Sequence, residues 1–319
     1  MRAVRIHEWG QDPRIDLLPH SERATGESLV RIEAATVSHL DLTIASGAFS
    51  SVPRLPFVPG TSASGTIIES DTWDPGTRVY VRCAELGVSR DGTWRDQLVA
   101  VDSALWELPS DLDPAIAATF VDPVATAYVA LHDIGNVQAG QRVIVTGAAG
   151  VVGALIAQLA LAAEAEVIGV VSRRERLTDL PTGVKGLSAD DERAVAALDD
   201  ERPADLLIDT VGGIELTRRI GWVRSGGEAV LLGYTAGKQL LLDLPSWFFL
   251  NVRLSPVSML VRGARAREIA HERLPDFVSG RLDLPVERLE LSAAASAMDR
   301  VRYGRARGRV VLLPHHVAR

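Results

Sequence analysis

Cysteine occurs once in the 319 residues, at Cys83. A lone thiol excludes an intramolecular disulfide and any metal cluster built from several cysteines, and it fits a reducing compartment. Positive charge is not in excess. A formal net charge of −7 gives no electrostatic case for a nucleic-acid partner, which would need a basic surface to neutralise phosphates. Long apolar runs are also missing: the most apolar extended segment, residues 151–163, is too short to cross a bilayer. The stretch Met1-Arg2-Ala3-Val4-Arg5-Ile6-His7 lacks the hydrophobic core of a secretion signal. Internal repeats and low-complexity linkers are absent. These absences lead to the expectation of a cytoplasmic protein with neither a membrane nor a nucleic acid as partner. With 47% hydrophobic and 24% charged residues, the chain has the composition of a globular protein and the length to bury cores in two domains.

What is present is organised around Arg142-Val143-Ile144-Val145-Thr146-Gly147-Ala148-Ala149-Gly150-Val151-Val152-Gly153 and the alanine-leucine run that follows. β-Branched residues, then glycines three apart, then helix formers predict a strand, a tight turn and a helix start. Glycines at such a junction let backbone amides approach a pyrophosphate at the positive end of the helix. The pattern is A-x-G-x-x-G, with Ala148 where the fingerprint begins with glycine. A second strand, residues 166–171, ends where an acidic residue would bind the ribose hydroxyls of NAD. The chain offers Ser172-Arg173-Arg174 instead. A hydroxyl and two guanidiniums suit a ribose 2′-phosphate, so NADPH is expected over NADH; a solvated helix start is the plainer alternative for the two arginines.

Ahead of this motif, short β-type segments are predicted at residues 29–34, 64–69, 78–81 and 94–100, with turns at Pro59-Gly60, Asp74-Pro75-Gly76 and Asp91-Gly92. A helical run is expected over 115–131. Further strands at 204–210 and 228–233, with a helix over 215–223 between them, imply a parallel sheet with right-handed crossovers. Residues 251–259 form a candidate edge strand, since Pro256 would remove a ladder hydrogen bond from a central one. Helices over 265–278 and 293–301 and a strand over 308–313 complete the reading.

Several stretches together resemble the medium-chain dehydrogenase/reductase superfamily, in its zinc-free quinone oxidoreductase-like branch. They are Asp41 with Ser46-Gly47, Leu55 to Thr61, Asp91 to Trp94, Thr146 to Gly153, Asp209 to Gly213, Leu232 to Gly237, and Gly304 to Leu312. The resemblance implies an α/β fold: a GroES-like, mostly β domain completed by the C-terminal segment, and a Rossmann domain with a doubly wound parallel sheet, the active site lying in the cleft between them. The expected limits are 1–117 for the first part of the catalytic domain, 118–259 for the NADPH-binding domain and 260–319 for the C-terminal return. Coenzyme contacts carried over are Thr126, Ala149, Gly150, Val151, Val152, Gly153, Ser172, Arg173, Arg174, Val211, Gly233, Tyr234 and Arg307. The resemblance also implies a homodimer through Rossmann edge strands, for which residues 254–260 are apolar enough.

In zinc-dependent relatives a cysteine, a histidine beside a glutamate, and a second cysteine hold the metal. The matching positions here are Ser38, Thr61-Ser62 and Asp122, poor ligands apart from one carboxylate, so no metal is expected. Relatives of this branch carry a tyrosine where Thr43 stands, which leaves Ser38, Asp122, Thr43 and solvent as candidate proton donors. Asp122 acts as an acid if desolvation raises its pKa, or else merely caps a helix. His39 is either a hydrogen-bonded histidine near a strand end or a ligand or base, His315 and His316 are expected to be solvated, and Asp41 either does chemistry near this loop or caps Leu42 and Thr43. Phe49, Phe57, Trp94, Trp247, Phe248 and Phe249 line an apolar cleft or pack in cores and interfaces.

The reaction implied is NADPH-dependent, zinc-independent hydride transfer to a quinone or an α,β-unsaturated carbonyl, with fixed hydrogen-bond donors stabilising charge on the carbonyl oxygen. Two alternatives stand beside it: a nucleotide-binding protein with little turnover and a structural or regulatory role, and an alcohol dehydrogenase-type carbonyl reductase. Tyr234-Thr235-Ala236-Gly237-Lys238 fits the Tyr-x-x-x-Lys of short-chain dehydrogenases, but its position after a strand and its glycine argue against a helical face.

Overall fold

The computed structural model describes residues 1–48, 53–83, 85–259 and 261–314. Phe49, His315 and His316 lie outside the described residues. The chain divides into two compact units, Met1–Phe120 with Leu284–Arg319, and Val121–Asp283.

The first unit opens with a two-stranded antiparallel ribbon, β1 (Arg2–Arg5) and β2 (Arg14–Leu17). There follow β3 (Glu27–Val37), α1 (His39–Ala45), β4 (Ala63–Glu69), β5 (Arg78–Val81), β6 (Gln97–Val101), β7 (Leu105–Glu107) and α2 (Pro114–Ala117). The long strand β3 is central because alternate residues, Val30, Ile32 and Ala34, are wholly buried. β4 pairs along one side of β3, and β6 pairs with residues 27–31 on the other. Residues 94–96 precede the strand rather than belonging to it. Trp94 is wholly buried and donates its indole N–H to the Thr36 carbonyl at 2.9 Å, and Phe57 packs in the same core.

The second unit contains α3 (Val121–Tyr128), β8 (Arg142–Thr146), α4 (Val151–Ala162), β9 (Glu166–Val171), β10 (Lys185–Ser188), α5 (Glu192–Glu201), β11 (Ala204–Asp209), α6 (Leu216–Ile220), β12 (Val223–Leu231), α7 (Leu244–Leu250), β13 (Arg253–Pro256) and α8 (Gly263–Val278). All five pairings are parallel, and the spatial order is β10-β9-β8-β11-β12-β13. Counted from β8, that is 3-2-1-4-5-6. The chain therefore reverses direction between β8 and β11, and the crevice at the C-terminal ends of those strands is the ligand position of a doubly wound sheet. β13 is the edge strand, with Pro256 at its end. Among the described residues no helix is long and apolar enough to cross a membrane.

The return comprises β14 (Val286–Glu290), α9 (Ala294–Arg302) and β15 (Arg309–Leu313). β15 pairs antiparallel with residues 35–37 of β3 and parallel with β14, so the C-terminal strand completes the first unit's sheet.

Besides the strand starting at Gln97, the strand expected over 251–259 is confined to Arg253–Pro256, and three further expectations change. The single helix over 115–131 is two, because Pro123 in the first turn of α3 would clash with the carbonyl four residues back if the helix ran through residue 119. The helix over 215–223 shortens to Leu216–Ile220, ending before Gly221, and Val223 already starts β12. The domain limits also move. Residues 260–283 fall with the second unit, because α8 buries Ile269 against Ala125 and Val129 and lays Arg265 and Arg273 over the Tyr128 ring, 5.6 and 5.7 Å from its centroid.

Candidate active site

The glycine turn is built by steric necessity. Gly147 sits at φ +64°, in the left-handed region. Gly150 is the N-cap of α4 and supplies no side-chain cap. A Cβ at Gly153 would run into the Gly147 carbonyl, so only glycine lets the first turn of α4 lie against the loop. The N–H groups of Val151, Val152 and Gly153 thus begin a twelve-residue helix without a side-chain oxygen on them, and an anion fits that end on both hydrogen-bonding and dipole grounds. Ala148, the departure from the fingerprint, is wholly buried against Gly169 of β9.

At the end of β9, Ser172, Arg173 and Arg174 are exposed. Arg173 is the N-cap residue and Arg174 the first residue of a 3₁₀ turn over Arg174–Asp179, not an α-helix. Among the described residues Arg174 makes a long contact with Asp191, 3.8 Å. Sequence reasoning stopped one side chain short. Arg176 is half-buried, held by Asp179 at 2.6 Å, and it donates to the carbonyl of Ala149 in the glycine turn at 3.0 Å. Its i+2 position after Arg174 was the available signal.

On the other side of β8, Asp209 ends β11 and is 1% exposed. Its carboxylate accepts from the Thr146 hydroxyl (2.9 Å), Arg219 Nε (2.7 Å) and the amides of Val211 (3.1 Å) and Gly212 (2.6 Å). Arg219 Nη2 also donates to the Gly212 carbonyl at 2.7 Å. The loops after β11 and β12 then pack backbone to backbone. A Cβ at Gly233 would overlap the Thr210 carbonyl, Ala236 N donates to Val211 O at 3.0 Å, and Gly213 N donates to Gly237 O at 3.1 Å. Val211, Gly233 and Tyr234 are therefore brought together at these strand ends, with Tyr234 exposed. Tyr234 to Lys238 form a loop, so the Tyr-x-x-x-Lys string presents no helical face.

Thr126 lies on α3, its hydroxyl donating to the Asp122 carbonyl at 2.7 Å. Asp122, in the first turn of α3, is exposed. Arg307 belongs to the first unit, apart from the other coenzyme candidates in the chain's division, and its amide donates to Glu287.

In the first unit, Ser38 is the N-cap of α1 and Asp41 closes a capping box. Asp41 therefore reaches back to the N-cap amide instead of capping Leu42 and Thr43. Its buried carboxylate accepts from Ser38 N (2.7 Å), Ser38 Oγ (2.6 Å) and Thr61 N (2.9 Å). Burial pushes the Asp41 pKa up, opposed by these hydrogen bonds. The Ser38 proton is thus committed to Asp41, and Thr43 donates to the His39 carbonyl at 2.8 Å. His39 is exposed, and its ring has no hydrogen-bond partner among the described residues. The described residues contain no group of three or more His, Cys, Asp or Glu arranged to hold a metal ion. Trp247 donates to the Val252 carbonyl at 3.0 Å, whereas Phe248 and Phe249 are 67% and 87% exposed.

Comparison with known proteins agrees with this architecture. Residues 24–110 match the alcohol dehydrogenase GroES-like domain, and residues 187–312 match the zinc-binding dehydrogenase family. Fold and matches define an oxidoreductase of dehydrogenase type. A quinone oxidoreductase-like protein 2 homolog of Nematostella vectensis is 29% identical over 304 residues, covering 89% of this chain and 80% of the relative. The quinone oxidoreductase of Pongo abelii is 28% identical over 251 residues, 73% of each chain. Among solved structures, an NAD-dependent alcohol dehydrogenase superposes with a TM-score of 0.85 at 24% identity, covering 99% of this chain and all of that one, a likeness of fold. In fold and in these matches the chain resembles the medium-chain dehydrogenase/reductase superfamily and its quinone oxidoreductase-like branch.

Proposed function

We propose that this protein is an NADPH-dependent, zinc-independent reductase of quinones or α,β-unsaturated carbonyl compounds. The observation that carries the reading is the uncapped start of α4 beneath a glycine turn, with Ser172, Arg173 and Arg174 exposed at the end of the neighbouring strand. The bound coenzyme supplies a hydride. Val151, Val152 and Gly153 offer amides to its pyrophosphate, and the two arginines offer charge-assisted hydrogen bonds to its 2′-phosphate. Similarity to proteins named quinone oxidoreductase supports the substrate class. Hydroxyls at Ser38, Thr61 and Ser62 are poor zinc ligands, which supports chemistry without that metal. The exposed outer edge of β13 supports a homodimer.

The test is a coenzyme and substrate screen. NADPH oxidation is expected with quinones or enones. Replacing Arg173 and Arg174 with alanine is expected to weaken NADPH about tenfold or more while leaving NADH within about twofold; equal loss of both overturns the assignment. A second reading, coenzyme binding with little turnover, rests on a specific observation: the Ser38 and Thr43 hydroxyls are both engaged as donors within α1. Micromolar NADPH binding with no oxidation by any quinone or enone would establish it instead.

A further inference from the structure

We propose that Asp209 and Arg219 are positioning residues that set the nicotinamide end of the coenzyme site. The inference rests on the coenzyme reading above and adds which residues shape its far half. The strand order decides the direction in which a dinucleotide must lie. The 2′-phosphate candidates stand after β9 and the pyrophosphate candidates after β8. A dinucleotide crossing the switch point therefore places its remaining half over the loops that follow β11 and β12.

Those loops have no regular structure of their own, and Gly212 and Gly213 both adopt positive φ, +69° and +80°. Their shape is imposed from below. The Asp209 carboxylate gathers the amides of Val211 and Gly212, the Thr146 hydroxyl and the Arg219 guanidinium, while Arg219 reaches past it to the Gly212 carbonyl at 2.7 Å. Thr146 is the last residue of β8, so the same carboxylate ties the glycine-turn strand to the β11 loop. Thr210 strengthens the tie, its amide donating to Thr146 Oγ1 at 3.2 Å and its hydroxyl to the Thr146 carbonyl at 2.7 Å. The Asp209 carbonyl then accepts from Leu232 and Gly233 at 3.1 and 3.2 Å, extending the arrangement to the β12 loop. Asp209, through its carboxylate and its main-chain carbonyl, thus joins three strand ends. A hydride donor has to be held to within a fraction of an ångström, and tying the loop to one carboxylate and one guanidinium restricts its movement. Neither side chain needs to touch the coenzyme: Asp209 Oδ1 accepts from two loop amides and Oδ2 from the Thr146 hydroxyl and Arg219 Nε, and Arg219 is 12% exposed.

The experiment compares two ligands on three proteins. NADPH and 2′-phospho-ADP-ribose, which lacks the nicotinamide ring, are titrated against wild type, Asp209→Asn and Arg219→Lys, with unfolding midpoints recorded alongside. Lysine keeps a positive charge but lacks the rigid fork by which Nε and Nη2 reach Asp209 and the Gly212 carbonyl together. Both variants are expected to bind NADPH about tenfold more weakly and 2′-phospho-ADP-ribose within about twofold of wild type. If Asp209→Asn fails to fold, Arg219→Lys, which leaves the carboxylate its other three donors, decides the matter. Equal weakening of both ligands, or no weakening of either, overturns the positioning role. A wild type that binds neither ligand overturns the coenzyme reading itself, and this inference with it.

Discussion

Burial and hydrogen bonding pull the Asp41 carboxyl in opposite directions, and burial prevails. A carboxyl whose folded pKa lies above its unfolded value favours the folded state while protonated, and that contribution is lost as pH rises through the folded pKa. The stability of wild type relative to Asp41→Asn is therefore expected to be greatest at acid pH and to decline on going to neutral pH; urea titrations across that range measure it. A flat difference would mean that the three hydrogen bonds cancel the cost of burial. At this scale the sequence was only partly informative. The residue types at Ser38, Asp41 and Thr61 could be read, but their joining through one carboxylate could not, because residues 38 and 61 meet only once β3, α1 and β4 are folded. Asp209 and Arg219 were illegible for a related reason: an aspartate before a Thr-Val-Gly-Gly turn looks like any strand end until the arginine ten residues later folds back onto it. Arg173 and Arg174 stood out because they follow the second strand directly, where an acidic residue would bind a ribose.

Elements were more legible because they rest on local rules. The strand, turn and helix at 142–162 follow from β-branched residues, spaced glycines and alanine-leucine content, and all three appear in place. Where a prediction ran too long, as over 115–131, apolar content hid the break that Pro123 enforces. Two substitutions probe element starts. Gly153→Ala would press a methyl group into the Gly147 carbonyl and is expected to cost about 2 kcal/mol while weakening coenzyme binding. Ser38→Ala removes both the α1 cap and one of the donors to a buried carboxylate, for an expected loss of about 2 kcal/mol. Chemical denaturation reads both, and an unchanged midpoint for either would contradict the packing described here.

For the whole molecule, strands alternating with helices were enough to anticipate a parallel sheet, whereas the limits of the two units were not, since the packing of α8 on α3 joins segments more than a hundred residues apart. The proposed homodimer predicts a sedimenting species of twice the 34.3 kDa chain, and a proline replacing Leu254 on β13 is expected to shift it to monomer. NADPH at a hundred times its dissociation constant is expected to add about 2.7 kcal/mol to stability, seen as a raised melting temperature; no rise at that saturation would deny coenzyme binding to the folded state.

The pairing of β15 with residues 35–37 also bears on the order of assembly during synthesis. The nucleotide-type unit is a continuous stretch of polypeptide and can close as soon as it has emerged from the ribosome. The unit begun first must wait, one flank of its central strand unpaired there, until the last strand arrives to fill it.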